Sequence, residues 1–541
     1  MNINARCSEL VKFWSLRNTM FKRWYDVITL KDVLAQEGME SFVSNDPRTF
    51  YNLALSLLDP GNIPHTIPTI GLTTQQISAT SLLERLVGKT WRDLGTKNRR
   101  RGRPKPITEI VRLLLATGWY SVLAIADPEV GLTAEVWNPV EVYPNWTDDG
   151  MVECAHVYKI TAEAANAKCE KNGWGKPSAG FKGQYIEVKD YWLLEGGVVS
   201  NAVLIGTTIP KPLTATPFEY IPIFVAPIGG LPDRGAITGN EDWKKDIGQS
   251  IVAANMQVYE NYNKQLTFLQ QLMRDTATPR WFEQSTGEDV ILKKEDMFKR
   301  GAIFRGGPED RVAPLPTPPI PVELQSTLFH IQNMIQRGSL PWQLYGQLQE
   351  TVSTYLLTQV ASAAKQMLRA FHEGVVDVLT DVDNFWIEET VKQNIQPGGF
   401  QIPQNLPEDT FMTAAYDIQI PGDLVLRATV ARMLSPGFEL SATTAMDLLF
   451  PEIANPQEEY NRVIADKAEK HPVAVAIQLA QSFRDAARQL QEDGQGELAA
   501  LYQTAYAVIV QTLGAGAAMQ PAEEREAGGA RVPMPTFPGV E

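Results

Sequence analysis

Cysteine is scarce in this 541-residue chain. Cys7, Cys154 and Cys169 are its only thiols, and they form neither a CxxC pair nor an even framework. That excludes a disulfide scaffold and favours a reducing compartment. The five histidines, His65, His156, His330, His372 and His471, are scattered without an HxxxH spacing, which argues against a zinc site. Positive charge is in deficit: 49 Lys and Arg face 63 Asp and Glu, for a net charge of −14. Proteins that grip nucleic acid over a broad surface carry a basic footprint, and this chain carries none overall. Long apolar runs are missing as well. Val111–Ala126 and Ala505–Met519 fall short of the roughly 18 residues that span a bilayer. The basic residues Arg6, Lys12, Arg17, Lys22 and Arg23 precede no uninterrupted apolar core, so no signal peptide is expected.

Catalytic signatures are also lacking. Gly88-Lys89-Thr90 imitates the end of a phosphate-binding loop, but Leu83 stands where that motif needs glycine, and the stretch lies in a helical pattern. There is no GxSxG, no HExxH and no GxGxxG after a strand. His372-Glu373 lacks a second histidine. The acidic pairs Asp148-Asp149, Asp381/Asp383 and Glu388-Glu389 read as solvated turns or helix faces. The sequence therefore points away from catalysis, cofactors and metals.

What is present is the composition of a folded protein, 44% hydrophobic and 21% charged, in a chain too long for one core. Its organising stretch runs from 237 to 353. Ile247, Ile251, Ala254, Val258, Tyr262, Leu266, Leu269 and Met273 recur at three-and-four spacing and predict one helix from about 238 to about 275. Such a helix would be roughly 55 Å long. After Pro279 comes a small β-like module with Trp281, Phe282 and the cations Lys293, Lys294, Lys299, Arg300, Arg305 and Arg311. It ends in the prolines 314–321. Leu324, Leu328, Ile331 and Ile335 then repeat the stripe up to Gly338. Two helices that leave a body, hold a module at their tip and return form a stalk. A stalk cannot bury both faces alone, so Ile247, Ile251, Val258, Leu324, Leu328 and Ile331 are expected to meet neighbouring copies.

The rest of the chain frames that stalk. Residues 1–58 read as helices with Phe13, Trp14, Met20, Phe21 and Trp24 as early apolar positions. Residues 73–94 read as a helix with Ile77, Leu82, Leu86 and Leu94 in the core. The run 97–105, with Arg99, Arg100, Arg101 and Arg103, reads as a solvated loop or as one that faces DNA or an assembly partner. A helix over 107–119 leads to strands at 120–126, 132–146 and 152–160, a short helix over 161–172, and a meander of strands at 185–192, 198–204 and 218–225. Beyond Gly338, a Gly/Pro-marked loop leads to a third long helix from about 353 to 394. A β-like run at 411–420 and helices at 425–434, 441–449, 456–470 and 472–514 follow. The tail 515–541 reads as disordered.

This order of elements resembles the portal proteins of tailed bacteriophages, from about residue 50 to about residue 510. The resemblance rests on LLLATGWYSVLAIA followed by NPVEVYPNWTDDG, on the stalk and its tip, on GSLPWQLYG before the helix that Ser353 opens, and on SPGFELS before an acidic helix. It implies an α+β, multidomain, portal-like fold: a mixed α/β wing (1–236), a long-helix stem (237–278 and 320–338), a small β-containing clip (279–319), a tunnel loop (339–353), a long helix with the C-terminal wing (354–455), a helical crown (456–514) and a tail (515–541). It further implies a homo-oligomeric ring, typically of twelve, at one capsid vertex of the virion, assembled in the host cytoplasm. Double-stranded DNA would pass along the axis. Terminase, the major capsid protein and a head-completion or tail adaptor protein would dock, with no membrane involved. Trp342, Gln343, Tyr345, Gln347, Leu348 and Gln349 would line the channel. Lys293, Lys294, Lys299, Arg300 and Arg305 would meet DNA or partners at the clip. The competing readings are another non-catalytic structural protein such as a tail adaptor, a DNA-processing enzyme with an unrecognised site, and an ordinary DNA-binding protein.

Overall fold

The structure is a computed structural model that describes residues 2–32, 35, 41–60, 63–68, 71–175, 183–231, 239–277, 281–284, 307–314, 322–340, 354–403, 405–407, 410–418, 441–450, 456–492 and 495–516. The chain is α+β and divides into two compact units: residues 1–433 with 449–454, and residues 434–448 with 455–541.

The first unit opens with helices α1 (Ile3–Phe13), α2 (Ser15–Ile28) and α3 (Asp46–Leu58). Of the early apolar positions, Trp14, Phe21 and Trp24 are buried, and Phe13 is exposed. After strand β1 (His65–Thr66), helix α4 (Thr74–Arg100) starts at a capping box: the Gln76 N–H donates to Thr73 Oγ1, and the Thr73 N–H donates to the Gln76 side chain at 2.9 Å. Leu86 and Leu94 face the core, but Leu83 takes the inward position expected of Leu82. The helix also outruns its expected end at 94, because the basic run forms its last turn, where cations suit the negative end of the helix dipole.

Helix α5 (Pro106–Thr117) begins on a proline and ends at Gly118, whose φ of +68° only glycine adopts freely. A Cβ there would also lie 2.4 Å from the Gln249 backbone. Strands β2 (Trp119–Asp127) and β3 (Gly131–Val136) follow, then β4 (Val142–Thr147), β5 (Gly150–Thr161), helix α6 (Ala162–Lys171), β6 (Tyr185–Glu195), β7 (Val198–Ile205), β8 (Thr208–Ala215) and β9 (Ile223–Pro227). They form two antiparallel sheets, β3-β2-β9 and β4-β5-β6-β7-β8.

Two expectations change here. The run 218–225 is not the meander's third strand: its ordered part, β9, pairs with β2 in the other sheet, with Ser121 opposite Val225. The meander's last strand is β8, which the sequence hides because Pro210 and Pro212 interrupt its pattern. β8 is an edge strand, where a missing N–H is tolerated.

The long helix expected from 238 is the largest correction. Only α7 (Trp243–Asp246) and α8 (Met256–Ala277) are α-helical there. Between them residues 249–251 bond to the body, and a 3-10 turn over Ala253–Asn255 leads into α8. The Gln249 N–H donates to Ile228 O, the Ile251 N–H to Leu115 O, both at 3.0 Å, and Ser250 Oγ to Leu115 O at 2.9 Å. Gly248 bridges Gly229, and a Cβ on it would lie 2.5 Å from Trp119 Nε1. The 22 residues of α8 span roughly 33 Å, not 55.

Strands β10 (Trp281–Gln284) and β11 (Arg311–Pro314), helix α9 (Val322–Arg337) and the 39-residue helix α10 (Thr354–Lys392) complete the unit's main elements. α10 packs on β2 and β9 and buries Leu368, Val375, Val378, Leu379, Val382 and Trp386. Among the described residues of the β-like run at 411–420, the strand is β12 (Thr413–Ala414), paired with β1. The expected helix at 425–434 lies outside the described residues.

The second unit holds most of α11 (Ala442–Leu449), whose Thr444 N–H donates to Ser441 Oγ at 3.1 Å, and α12 (Pro456–Glu469), α13 (Pro472–Glu492) and α14 (Gly496–Gly516). The last two form a hairpin closed over Ala480, Ala487 and Ala499, with the rings of Phe483 and Tyr502 edge-on at 5.6 Å.

Candidate functional site: the helical hairpin and its tip

α8 and α9 lie side by side and antiparallel. Tyr262 OH accepts from Gln332 Nε2 at 2.6 Å, and Asn255 Nδ2, just before α8, donates to Ile335 O at 2.7 Å near the end of α9. Their far ends lead into β10 and β11, which pair antiparallel with Trp281 opposite Pro314 and Gln284 opposite Arg311. The base is built for close approach. A Cβ on Gly338 would fall 2.2 Å from Asn255 Oδ1, so a larger residue there must displace an amide that is bonded to Ile335 O. On its other side α8 is tied to the segment before α3: Asn263 Oδ1 accepts from the Ser44 N–H, and Thr267 Oγ1 from the Phe42 N–H, each at 3.0 Å.

Most stripe residues face inward, but Ala254 and Met273, expected on the same stripe, are exposed. Ile251 and Leu328 are buried, and Ile247, Val258, Leu324 and Ile331 pack against the same core. All six were expected at contacts between copies; the chain itself buries Ile251 and Leu328 and leaves Ile247, Val258, Leu324 and Ile331 partly exposed. The reason is geometric: the two helices turn their stripes toward each other, and the segment before α8 folds onto the α5–β2 corner. The apolar positions left open are Phe268 (47% exposed), Met273, Phe329 (61%) and Met334. The spacing of Phe268 one position from Leu269 and of Phe329 one from Leu328, off the stripe, was the available signal.

Trp342, Gln343, Tyr345, Gln347, Leu348 and Gln349 lie outside the described residues, as do Lys293, Lys294, Lys299, Arg300 and Arg305. Arg99, Arg100, Arg101 and Arg103 are exposed at the end of α4. There Gly102 adopts φ +70°, and the Arg103 and Gly102 N–H groups donate to Asn98 O and Arg99 O, both at 3.0 Å. This is a Schellman close.

Three buried polar centres were not read from the sequence, and one of them corrects it: Asp383, like Glu389, was expected on a solvated turn or helix face but is buried on α10. Arg17 sits among the rings of Trp14, Phe21, Trp119 and Tyr143, at 4.8 to 5.7 Å from their centroids, and donates to Val142 O at 2.7 Å and Pro139 O at 3.1 Å. Burial pulls its guanidinium below the ordinary value, and cation–π attraction and carbonyls compensate. Glu153 accepts from Arg6 Nε at 3.0 Å, Asn145 Nδ2 and Tyr191 OH, both at 2.8 Å. Burial pushes that carboxyl up, but these donors outweigh it and hold it below the ordinary range. Asp383, fully buried on α10, meets His65 Nδ1 at 2.5 Å and Trp91 Nε1 at 2.8 Å. Burial pushes it up. This His–Asp pair stitches β1 and α4 to α10. Among the described residues no cluster of His, Cys, Asp and Glu could hold a metal ion, no helix is long and apolar enough to cross a membrane, and the three thiols are free and buried.

No protein-family model and no curated protein matches the chain.

Proposed function

We propose that the chain is a portal protein: a ring-forming subunit, with twelve as the family's usual number, at one capsid vertex, through which double-stranded DNA is packaged and ejected. Terminase and tail or adaptor proteins would dock on its tip, and the capsid shell on its body. The observation that carries this reading is the hairpin of α8 and α9, which extends a strand-paired tip and leaves Phe268, Met273, Phe329 and Met334 uncovered. Uncovered apolar residues on an extended element favour burial against another copy. The α13–α14 hairpin adds weight, with Val473, Ile477, Leu498 and Leu501 all more than 40% exposed. A wall with a net charge of −14 per subunit repels phosphate, so DNA would slide without salt-dependent adhesion.

The test is a pair of variants, Phe268→Asp and Phe329→Asp. Both side chains are open to solvent, so each variant is expected to keep the wild-type melting temperature within a few degrees while rings give way to monomers in sedimentation. Rings that form normally in both variants would remove this face from the interface and contradict the reading of the hairpin.

A further inference from the structure

We propose that the basic end of α4 docks on the acidic face of α10 in a neighbouring copy of the chain. The proposal rests on self-assembly as read above, but not on capsid, DNA or terminase. Residues 97–105 carry six cations in nine positions of a chain whose net charge is −14. All six, Lys97, Arg99, Arg100, Arg101, Arg103 and Lys105, are exposed, and the Schellman close fixes the backbone beneath them. Among the described residues none of the six makes an ion pair; the single side-chain bond is Arg99 Nη2 to Thr96 Oγ1 at 3.3 Å.

The complement lies on α10. Glu373, Asp377 and Asp381 stand four residues apart, so they share one face, and Glu388 continues it seven residues on. All four are exposed. Glu373 is paired with Arg369 at 2.7 Å, and Glu388 accepts from Tyr220 OH at 3.1 Å, but Asp377 and Asp381 have no cation partner among the described residues. Like charges at this spacing destabilise a helix. The Asp381 carboxyl is pushed up to about 6, by burial first and by Asp377 second.

Each copy thus carries an unpaired basic end and an unneutralised acidic face that do not meet within the chain. A head-to-tail contact satisfies both and is the kind of heterologous interface from which closed rings are built. Nucleic acid fits the basic end less well. No aromatic ring occurs between Trp91 and Trp119 to stack on bases, and the rest of the chain repels phosphate.

The experiment is sedimentation of the full chain at low and high salt. The variants are Arg99→Glu/Arg100→Glu/Arg101→Glu and Asp377→Lys/Asp381→Lys, with Asp377→Asn/Asp381→Asn as a milder control in case the lysines disturb folding. The expected result is association about tenfold weaker or worse in each charge-reversed variant at low salt. Association should return when the two reversed variants are mixed, because each then offers what the other lacks. Wild-type association in both variants, or no rescue on mixing, overturns the proposal, as does a wild type that stays monomeric at low salt. Loss of binding to a short DNA duplex with unchanged self-association overturns it in favour of a nucleic-acid surface. Rescue in short open chains that never close would support this contact and count against the ring.

Discussion

Two carboxylates, Glu153 and Asp381, work on stability in opposite directions. Glu153 is held below the ordinary carboxylate range by Arg6, Asn145 and Tyr191, so its contribution is fully present above the unfolded value of about 4.3 and is lost as pH falls through the lower folded value. Glu153→Gln should therefore lower the melting temperature at pH 7 and blunt the loss of stability on the acid side, read by thermal unfolding between pH 2 and 7. Asp381 is displaced upward, to about 6. The folded chain then holds the proton more tightly than the unfolded one, so stability falls as pH rises from about 4 to about 6. Asp381→Asn should flatten that fall and stabilise the chain at pH 7 by on the order of 1 kcal/mol once solvent screening is allowed for. At this scale the sequence disclosed apolar residues better than polar ones. Leu86 and Leu94 were legible as core, because hydrophobic spacing is local. Arg17 was legible only as one of several N-terminal cations, since the rings and carbonyls that enclose it come largely from residues 119–143.

The elements that could be read were those whose backbone satisfies itself. α9 and α10 begin and end within about two residues of the expected limits. The segment 247–252 could not, because Gln249, Ser250 and Ile251 at its centre bond to Ile228 and Leu115. Apolar periodicity records which side chains are buried, not whether the backbone between them is helical. The same correction changes what Ile251 does. Its N–H is bonded to α5 and its side chain is buried in the body, so Ile251→Asp should destabilise the fold itself by roughly 3 kcal/mol or more. Urea unfolding of the variant below its assembly concentration would show this; a fully stable subunit that merely failed to assemble would return Ile251 to the interface. Gly338→Ala tests the hairpin base. The added Cβ meets the Asn255 amide, so several degrees should be lost from the melting temperature, and amide exchange should quicken at 255–262 and 332–337. Unchanged exchange there would mean the base is not pinned at this point.

For the whole molecule, the sequence made the α+β, multidomain character legible, together with the hairpin and its strand-paired tip. The positions expected in a channel and at the clip, 342–349 and 293–305, lie outside the described residues, so the proposed assembly rests on the hairpin and the uncovered apolar surfaces. The central claim is that this chain closes into a ring, and the mass of the purified particle tests it most directly. Native mass spectrometry combined with particle imaging should find a closed ring with an open axis, about 720 kDa for twelve copies of the 60.1 kDa chain. A particle that remains monomeric or dimeric at high concentration and across salt would contradict the account.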